Sequence, residues 1–586
     1  MILRNLLWVL VATTCAALNP FAAGQDSKLT EGKKLQLDEA TRLNKELTSL
    51  YSKGDYAASA TIEKNILAIR EKTLGPDHLD TANSLRNLAI LLERLDRAGA
   101  NQFFDRAREG TFRHVSRILV GLTEAEQRLF LKEKFESGFH TALSQVLRHT
   151  DIEQNVSTSV AWVAKGKGVS QDALATRNLL LRDVADPKLL PLVTELQSVQ
   201  KQLAAIAMTG AEEGEAKQRQ LRFNELTNSE SQLSKQLALA TGSDNEIKQW
   251  IGTDELRRAV PTQSLLIDIA RFDVFNFKAT DMTKKWQPAH YAAWITPAVG
   301  KGEPKLVDLG LADEIDTLVQ SIRETIQADG ATEGKIRKQG ESDALIQLNV
   351  AMKKLSDKIW SPIAKHVGDV DSILLSPDGG LWLAPWAALP VGESNEPLIK
   401  KYSLRLLIRG RDLLAKQGST KQSAVPVIFA DPKFDSAAAE KKMAIEAVLK
   451  KLPEADDGTL RSFSAKGLLP KVLPLPNTAM EAKLIEPNIE KISHSKPVLY
   501  QERYALESVA KELKRPKLAI FATHGFFLPS QETKKDERMG SQASNKTRSV
   551  VLDTSGKPTR IRCYAAGCCL PVVINVVRRS EMTMEF

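Results

Sequence analysis

Cysteine is scarce in this sequence of 586 residues, with four in all. Cys15 comes early and the other three, Cys563, Cys568 and Cys569, come near the end, so most of the chain has no thiol. The disulfide framework that holds many small secreted domains together is therefore excluded. The chain must fold by packing apolar side chains, and its hydrophobic fraction of 42% is sufficient for more than one core.

Several signatures of cofactor and nucleic-acid binding are missing as well. The sequence has no GxxxxGKS/T phosphate loop, no HExxH motif and no paired CxxC motifs, so no nucleotide, metal or other cofactor is predicted. The 81 basic residues exceed the 72 acidic residues by only 9, and no dense arginine block occurs, so we predict no nucleic-acid partner. The short basic segments Lys165-Gly166-Lys167 and Lys534-Lys535 are predicted to be solvated surface.

The beginning of the chain has the pattern of an export signal. Arg4 precedes an almost uncharged apolar stretch from Leu6 to Leu18, and Ala22-Ala23-Gly24 offers the small residues that signal peptidase needs. We predict that residues 1–24 are removed and that the mature protein is periplasmic or secreted. The apolar stretch is shorter than the roughly 20 residues of a spanning helix, and no later stretch approaches that length, so no membrane span is predicted. A lipid anchor at Cys15 is the alternative.

Two copies of one helical pattern follow, 42 residues apart, so that Leu43 aligns with Leu85 and Ile62 with Phe104. Apolar side chains that return on one face of paired helices are typical of stacked repeats, which share one core. We predict such repeats over residues 37–110 and expect them to bind a protein partner. Because two copies are few, the helices that follow must cover the end of the stack.

Residues 111–250 keep a helical pattern. Apolar stripes span residues 189–206 and 221–237, and residues 208–215 interrupt them. The sequence predicts two long antiparallel helices joined by a turn. Packing against the repeats is the favoured interpretation, and a coiled coil with a partner helix is the alternative.

Beyond Gly252 short apolar runs alternate with amphipathic helices, which is typical of a largely parallel sheet covered by helices. We predict that residues 251–552 form this α/β domain behind the helical region, with Trp382 and Trp386 as core side chains. The predicted strands are 265–269, 290–295, 372–375, 425–429, 497–500 and 518–522.

The strand predicted at 518–522 leads into residues suited to catalysis, His524 and Gly525. Parallel sheets gather catalytic groups beyond the carboxyl ends of their strands. A histidine there can accept a proton from a nucleophile near neutral pH, and a glycine lets a backbone N–H approach a developing oxyanion. A hydrogen-bonded structural histidine is the alternative interpretation.

These segments resemble two known families. Leu74-Gly75-Pro76-Asp77-His78, between the helical copies, resembles the kinesin-light-chain type of tetratricopeptide repeat, with His78 at the start of a helix. The second half resembles the CHAT domain, a caspase-like α/β domain with a mostly parallel sheet, through pieces in the family's order. These pieces are Leu265 to Asp268, Leu375 to Leu381, Pro385 to Pro390, Ala430 to Phe434, Leu475 to Thr478, Glu481-Ala482, and Ala522 to Phe527.

The CHAT resemblance implies cysteine peptidase chemistry on a protein or peptide substrate. His524 would assist a cysteine thiolate, and the Gly525 N–H would stabilise the oxyanion. The Ser-Ala-Cys-Glu-like segment that carries the family's cysteine does not occur in this sequence. Cys568 or Cys569 is a candidate nucleophile through an unusual local path, and a vicinal disulfide or two unpaired thiols are the alternatives.

Residues 553–586 depart from the CHAT resemblance in both order and composition. We interpret them as a divergent tail, produced by truncation or a shifted reading frame. In that case the product lacks its nucleophile, and the chain is a non-catalytic scaffold for protein–protein interaction. The sequence leaves the choice between peptidase and scaffold open.

Overall fold

The computed structural model describes most residues between 30 and 522, and it divides into two compact units. The described ranges are 30–182, 186–208, 216–240, 250–279, 284–327, 341–414, 425–433, 436–449, 476–511, 513 and 516–522. Of these residues, those from 30 to 174 and from 250 to 414 belong to the first unit, and those from 175 to 240 and from 425 to 522 belong to the second. The predicted export signal and the divergent tail lie outside the described residues. Within the described ranges, no helix has the length and apolarity to cross a membrane.

Four helices form the predicted repeats. They are α1 (Glu31–Ser52), α2 (Tyr56–Leu74), α3 (Leu79–Arg94) and α4 (Ala100–Leu119). The Asp55 carboxylate caps α2 by accepting the N–H of Ala58 at 2.9 Å. His78 caps α3, because its Nδ1 accepts the N–H of Asp80 at 3.1 Å. The prediction that His78 starts a helix is therefore confirmed.

Further helices cover the end of the repeat stack. They are α5 (Glu124–Leu131), which continues through a π-helical turn (Lys132–Glu136) into α6 (Ser137–Arg148), then α7 (Glu153–Gly166) and α8 (Val169–Arg182). Thr123 and Glu126 form a reciprocal capping box that starts α5. Leu143 of α6 and Trp162 of α7 are buried in one core with Phe104 of α4. The repeats thus bury their apolar face without a second chain.

Gly110 lies where α4 touches the loop between the two repeat copies. A Cβ at this position would lie 2.8 Å from the carbonyl oxygen of Pro76, so backbone must move to accept one. We expect Gly110→Ala to lower the free energy of unfolding in urea by about 1–3 kcal/mol. The control is Gly32→Ala in α1, where a Cβ meets nothing within 4 Å and alanine should stabilise by about 0.5–1 kcal/mol. Equal stability of the two variants would contradict this account of the loop contact.

The first unit contains a five-stranded sheet in the order β3-β2-β1-β4-β7. The strands are β1 (Ser264–Phe275), β2 (Trp286–Pro297), β3 (Lys305–Leu311), β4 (Ser372–Ser376) and β7 (Ser403–Leu406). β4 pairs in parallel with β1 and β7, which agrees with the predicted parallel sheet. β1, β2 and β3 pair antiparallel through short connections, which the sequence analysis did not anticipate.

Shorter elements and covering helices complete this unit. They are α11 (Thr253–Ala259), α12 (Ala312–Gln327), α13 (Glu341–Ala364), β5 (Pro390–Val391), β6 (Glu396–Pro397), α14 (Leu398–Lys401), and 3-10 turns at Gly379–Leu383, Trp386–Ala388 and Gly410–Leu414. Successive side chains of β1 point into two different cores, because both faces of the sheet are covered by helices. Ile267 packs with α12 and α13, whereas Leu266 and Phe272 enter the core that contains the repeat helices.

Hydrogen bonds reinforce this shared core. Arg94 of α3 donates to the carbonyl oxygens of Phe277 and Ala279, at 2.9 and 2.8 Å. The indole Nε1 of Trp294, on β2, donates to Ser159 Oγ of α7 at 2.7 Å. Because apolar packing and buried polar contacts both cross from helices to strands, the repeats and the five-stranded sheet form one body.

The second unit contains a helical hairpin and a smaller sheet. The hairpin consists of α9 (Leu190–Met208) and α10 (Ala216–Ala240), which bury Leu196 against Leu226 and Leu233. The two predicted long helices are thus present. The sheet is parallel, in the order β10-β8-β9. Its elements are β8 (Val427–Pro432), α15 (Ala438–Leu449), α16 (Pro476–Ser493), β9 (Val498–Glu502), α17 (Glu507–Lys511) and β10 (Ala519–Ala522).

Candidate functional site

The carboxyl edge of the three-stranded sheet is the candidate site. β10 runs parallel to β8 with Ala522 opposite Ala430, and β9 lies parallel on the other side of β8. All three strands therefore end at the same edge, where open α/β sheets place their ligands.

Side-chain packing fixes the register of these strands. On one face Phe429 stacks between Tyr500 and Phe521, with ring centroids 4.9 and 5.1 Å apart. On the other face Ile428 and Ala430 pack against α16. A slip of one residue would exchange the two faces, so the packing also fixes where the chain leaves β10.

Two of the five non-glycine residues with positive φ in the described part of the chain lie at this edge. Asp431 and Glu502 adopt left-handed conformations, with φ of 46° and 49°. The N–H of Asp431 donates to Thr478 Oγ1 at 2.9 Å, and the N–H of Lys433 donates to the Glu502 carbonyl oxygen at 3.2 Å. Non-glycine residues in this region cost about 1–3 kcal/mol each and cluster at functional sites. The contact between Asp431 and Thr478 also joins two of the sequence pieces that resemble the CHAT domain.

The residues predicted to carry the chemistry lie outside the described residues. This holds for His524, Gly525, Cys568 and Cys569. The described chain reaches Ala522 at the end of β10, two positions before His524. Their catalytic roles therefore stay predictions.

A buried polar cluster lies in the first unit, and the sequence analysis missed it. The prediction that Lys165-Gly166-Lys167 is solvated surface is wrong, because Lys165 and Lys167 are only 3% and 8% exposed. Lys167 Nζ lies 2.7 Å from Asp268 Oδ1, 2.6 Å from Ser376 Oγ, 2.9 Å from the Ser376 carbonyl oxygen and 3.1 Å from that of Pro377. The second basic segment, Lys534-Lys535, lies outside the described residues.

The Lys167 cluster is saturated with contacts. An ammonium group has three N–H donors, and four acceptors surround this one. The second oxygen of Asp268 accepts the N–H of Gly410 at 3.1 Å. No donor is left for a substrate, so we interpret the cluster as a structural clamp between the α7–α8 junction and the sheet. The sequence contains one indication of this cluster. Asp268 lies inside the apolar run of β1, and a buried carboxylate requires a partner.

The Asp378-Gly379-Gly380 loop after β4 is a second structural cluster. Tyr291 Oη donates to Asp316 Oδ1 at 2.7 Å and accepts the N–H of Gly380 at 2.8 Å. Burial and the hydrogen bond to Asp316 raise the pKa of Tyr291, so its hydroxyl stays protonated. A Cβ on Gly380 would collide with the Asp316 carboxylate, which explains the second glycine of the loop.

The two tryptophans that follow this loop differ in burial. Trp386 is buried, and its Nε1 donates to the Leu381 carbonyl oxygen at 2.8 Å, so its predicted core role is confirmed. The same prediction for Trp382 is wrong, because its side chain is exposed. Elsewhere in the described part of the chain, no group of three or more His, Cys, Asp or Glu residues is placed to hold a metal ion.

Comparison with known families agrees with this architecture. A family model of the tetratricopeptide repeat matches residues 48–110, and a family model of the CHAT domain matches residues 350–552. No curated protein matches the chain. The CHAT match begins inside α13, although β1, β2 and β3 belong to the same sheet as the matched strands β4 and β7. The chain therefore carries a tetratricopeptide repeat region at its N-terminal side and a CHAT domain behind it.

Proposed function

We propose that this chain recruits a protein partner through its helical repeats and that its CHAT domain acts on that partner as a caspase-like cysteine peptidase. The observation that carries the proposal is the pair of family matches, a tetratricopeptide repeat over residues 48–110 and a CHAT domain over residues 350–552. The repeats also share one core with the five-stranded sheet, which includes the matched strands β4 and β7, so this part of the CHAT domain is fixed relative to a partner bound to the repeats. Recruitment by flexible tethering would not need such a core.

The proposed reaction uses His524 as the general base and acid. The imidazole takes the proton of a cysteine thiol, and the resulting thiolate forms a bond to the carbonyl carbon of the substrate. The N–H of Gly525 donates to the oxyanion, and His524 then protonates the leaving amine as the peptide bond breaks. Water hydrolyses the thioester, which releases the acid and regenerates the thiol. The proposal is supported by β10, which ends at Ala522, at the edge where β8 and β9 also end, and by the sequence, in which His524 comes two positions later.

A second candidate function is a non-catalytic interaction scaffold. A specific observation favours it: no Ser-Ala-Cys-Glu-like segment occurs in the sequence, and the CHAT match ends at residue 552. Cys568 and Cys569 are then unpaired thiols or a vicinal disulfide. Sequencing the locus beyond the codon of Leu552 tests the frame-shift hypothesis. A frame that restores a strand followed by such a segment supports it, and the absence of such a frame removes it.

We also propose that the protein is exported, on the pattern of residues 1–24. Fractionation of cells that produce the full chain tests this. Processed protein outside the cytoplasm is the expected result, and unprocessed protein in the cytoplasm would contradict it.

Replacing His524 tests the peptidase proposal. We expect His524→Ala to reduce the appearance of new protein N-termini, counted by mass spectrometry in an extract of cell-envelope proteins, by at least about 100-fold. The matched control is His366→Ala, an exposed histidine at the end of α13 that should leave the rate unchanged. If wild-type protein and His524→Ala produce the same termini at the same rate, the peptidase proposal fails and the scaffold remains.

The two thiols can be examined by alkylation. A catalytic thiolate reacts with iodoacetamide well below the usual thiol pKa of about 8.5. We expect one of Cys568 and Cys569 to be labelled at pH 6 and to lose this reactivity in His524→Ala. Labelling that rises only near the ordinary thiol pKa in both proteins would remove both cysteines as nucleophiles.

Recruitment needs a test that leaves the fold intact. Deleting the repeats would remove part of the shared core, so a photo-crosslinking residue on the surface is the better probe. Leu35 of α1 is 72% exposed and Leu345 of α13 is 54% exposed. We expect a crosslinker at Leu35 to capture a defined protein that the same group at Leu345 does not capture. Identical capture at both positions would contradict recruitment by the repeats.

A further inference from the structure

A small positively charged cavity lies in the helical region of the first unit. It is lined by residues of α3, α4, the π-helical turn and α6, among them Arg86, Arg108, Lys134 and Gly138. Its volume of about 10 Å³ accommodates one water-sized particle, and it opens to solvent where Arg86, Lys134 and Gly138 are partly exposed. Three cationic side chains and no carboxylate line it.

Arg108 is buried there without an ionic partner among the described residues. Its side chain is 3% exposed, and its Nε has no hydrogen-bond partner. The guanidinium lies over the rings of Phe135 and Phe139, at 4.3 and 4.9 Å from their centroids. Burial, followed by the neighbouring charge of Arg86, lowers the pKa of Arg108 to about 9. Ring contacts leave N–H donors unused, and a buried donor without an acceptor is costly.

Arg86 does not relieve this excess of positive charge. Burial lowers its pKa, and Glu63 is the one acid that counteracts the shift. Burial also raises the pKa of Glu63, although Ser84, Asn87 and the charges of Arg70 and Arg86 act in the opposite direction. At most one negative charge therefore stands beside two guanidinium groups, and it does not line the cavity.

The two guanidinium groups converge on the space above Gly138. A Cβ built on Gly138 lies 3.6 Å from Arg86 Nη1 and 3.8 Å from Arg108 Nη1. Both guanidinium groups therefore face the same side of Gly138, so a single anion between them offsets both charges. The narrow space favours a monatomic anion over phosphate and sulfate. From this geometry we propose that a monatomic anion, chloride in most media, binds between Arg86 and Arg108 above Gly138 and stabilises the repeat stack.

Gly138→Ala tests the proposal without removing a charge. The new methyl would lie 3.6 and 3.8 Å from the two Nη1 atoms and would crowd an ion held between them, and alanine is favourable in a helix. We measure the melting temperature of the full chain from 1 to 300 mM sodium chloride, with sodium gluconate keeping the ionic strength constant. For the wild type we expect a rise of about 2–4 °C for each tenfold increase in chloride above its dissociation constant. Gly138→Ala should fold and show no rise.

Two controls separate the cavity from general salt effects. Gly32→Ala adds a methyl to an open position of α1 and should keep the wild-type response. Crystals grown with bromide in place of chloride should show an anomalous peak touching both guanidinium groups. A melting temperature independent of chloride in the wild type, an equal response in Gly138→Ala, or an equal shift with phosphate would each overturn the proposal.

Discussion

Replacing Lys167 with methionine should lower the free energy of unfolding by about 3–5 kcal/mol. Asp268 is then left as a buried carboxylate whose ammonium partner, 2.7 Å away, is gone. The hydroxyl and carbonyl oxygen of Ser376 lose the same donor. Because methionine fills a similar volume, the loss of stability comes from the unpaired Asp268 carboxylate rather than from a cavity. Urea unfolding followed by circular dichroism measures it.

An exposed lysine provides the matched control. Lys305 pairs with Glu153 at 2.8 Å, but both side chains are largely in water, so Lys305→Met should cost less than about 1 kcal/mol. The double variant Lys167→Met, Asp268→Asn should regain part of the loss, because the unpaired charge is removed while Asn can still accept the Gly410 N–H. A cost for Lys167→Met no larger than for Lys305→Met would show that the clamp does not stabilise the fold.

Truncating Trp294 to alanine should cost about 3–5 kcal/mol as well. Its side chain is fully buried in the core that joins the repeats to the sheet, and its indole N–H satisfies Ser159. The variant therefore leaves a cavity at the boundary between α7 and β2, and Ser159 Oγ loses the indole donor while it keeps its own bond to the Val156 carbonyl oxygen. We expect the helices and strands of this unit to melt together, in one transition, at a lower temperature than in the wild type.

Trp382→Ala is the control for this truncation, because it removes the same side chain from an exposed position of the same unit. Because 39% of Trp382 is exposed, less apolar contact is lost, and we expect a cost of about 1–2 kcal/mol. Similar costs for the two tryptophans, or a Trp294→Ala protein in which helices and strands melt separately, would contradict the shared core.

Buried strands and amphipathic helices were the elements that could be predicted from the sequence. Residues 372–375 and 518–522 read as strands because each is an apolar run bounded by a loop, and β4 and β10 lie there. β3 was missed because Lys305–Leu311 exposes several of its side chains and includes charged residues at both faces. β7 was missed because four residues carry too little pattern.

Contacts that join distant segments were beyond prediction. Lys167 was interpreted as surface because a lysine between glycines is usually solvated, and its partner Asp268 lies 101 positions later in the chain. Local chemistry fared better, since His78 caps α3 by a contact only two residues away. The same reasoning applies at the candidate site. The apolar pattern of the sequence predicts where β10 ends. It does not predict the left-handed backbone of Asp431 and Glu502, which depends on contacts among three strands and α16.

Native-state hydrogen exchange at increasing urea measures most directly whether the repeats and the five-stranded sheet form one body. We expect the slowest amides of α3 and α4 to exchange with the same opening free energy and the same urea dependence as those of β1 and β2, because the helices and strands share a core. Lower opening free energies for the repeat helices, with a smaller urea dependence and no change in the strands, would mean that the repeats unfold independently and would contradict the account.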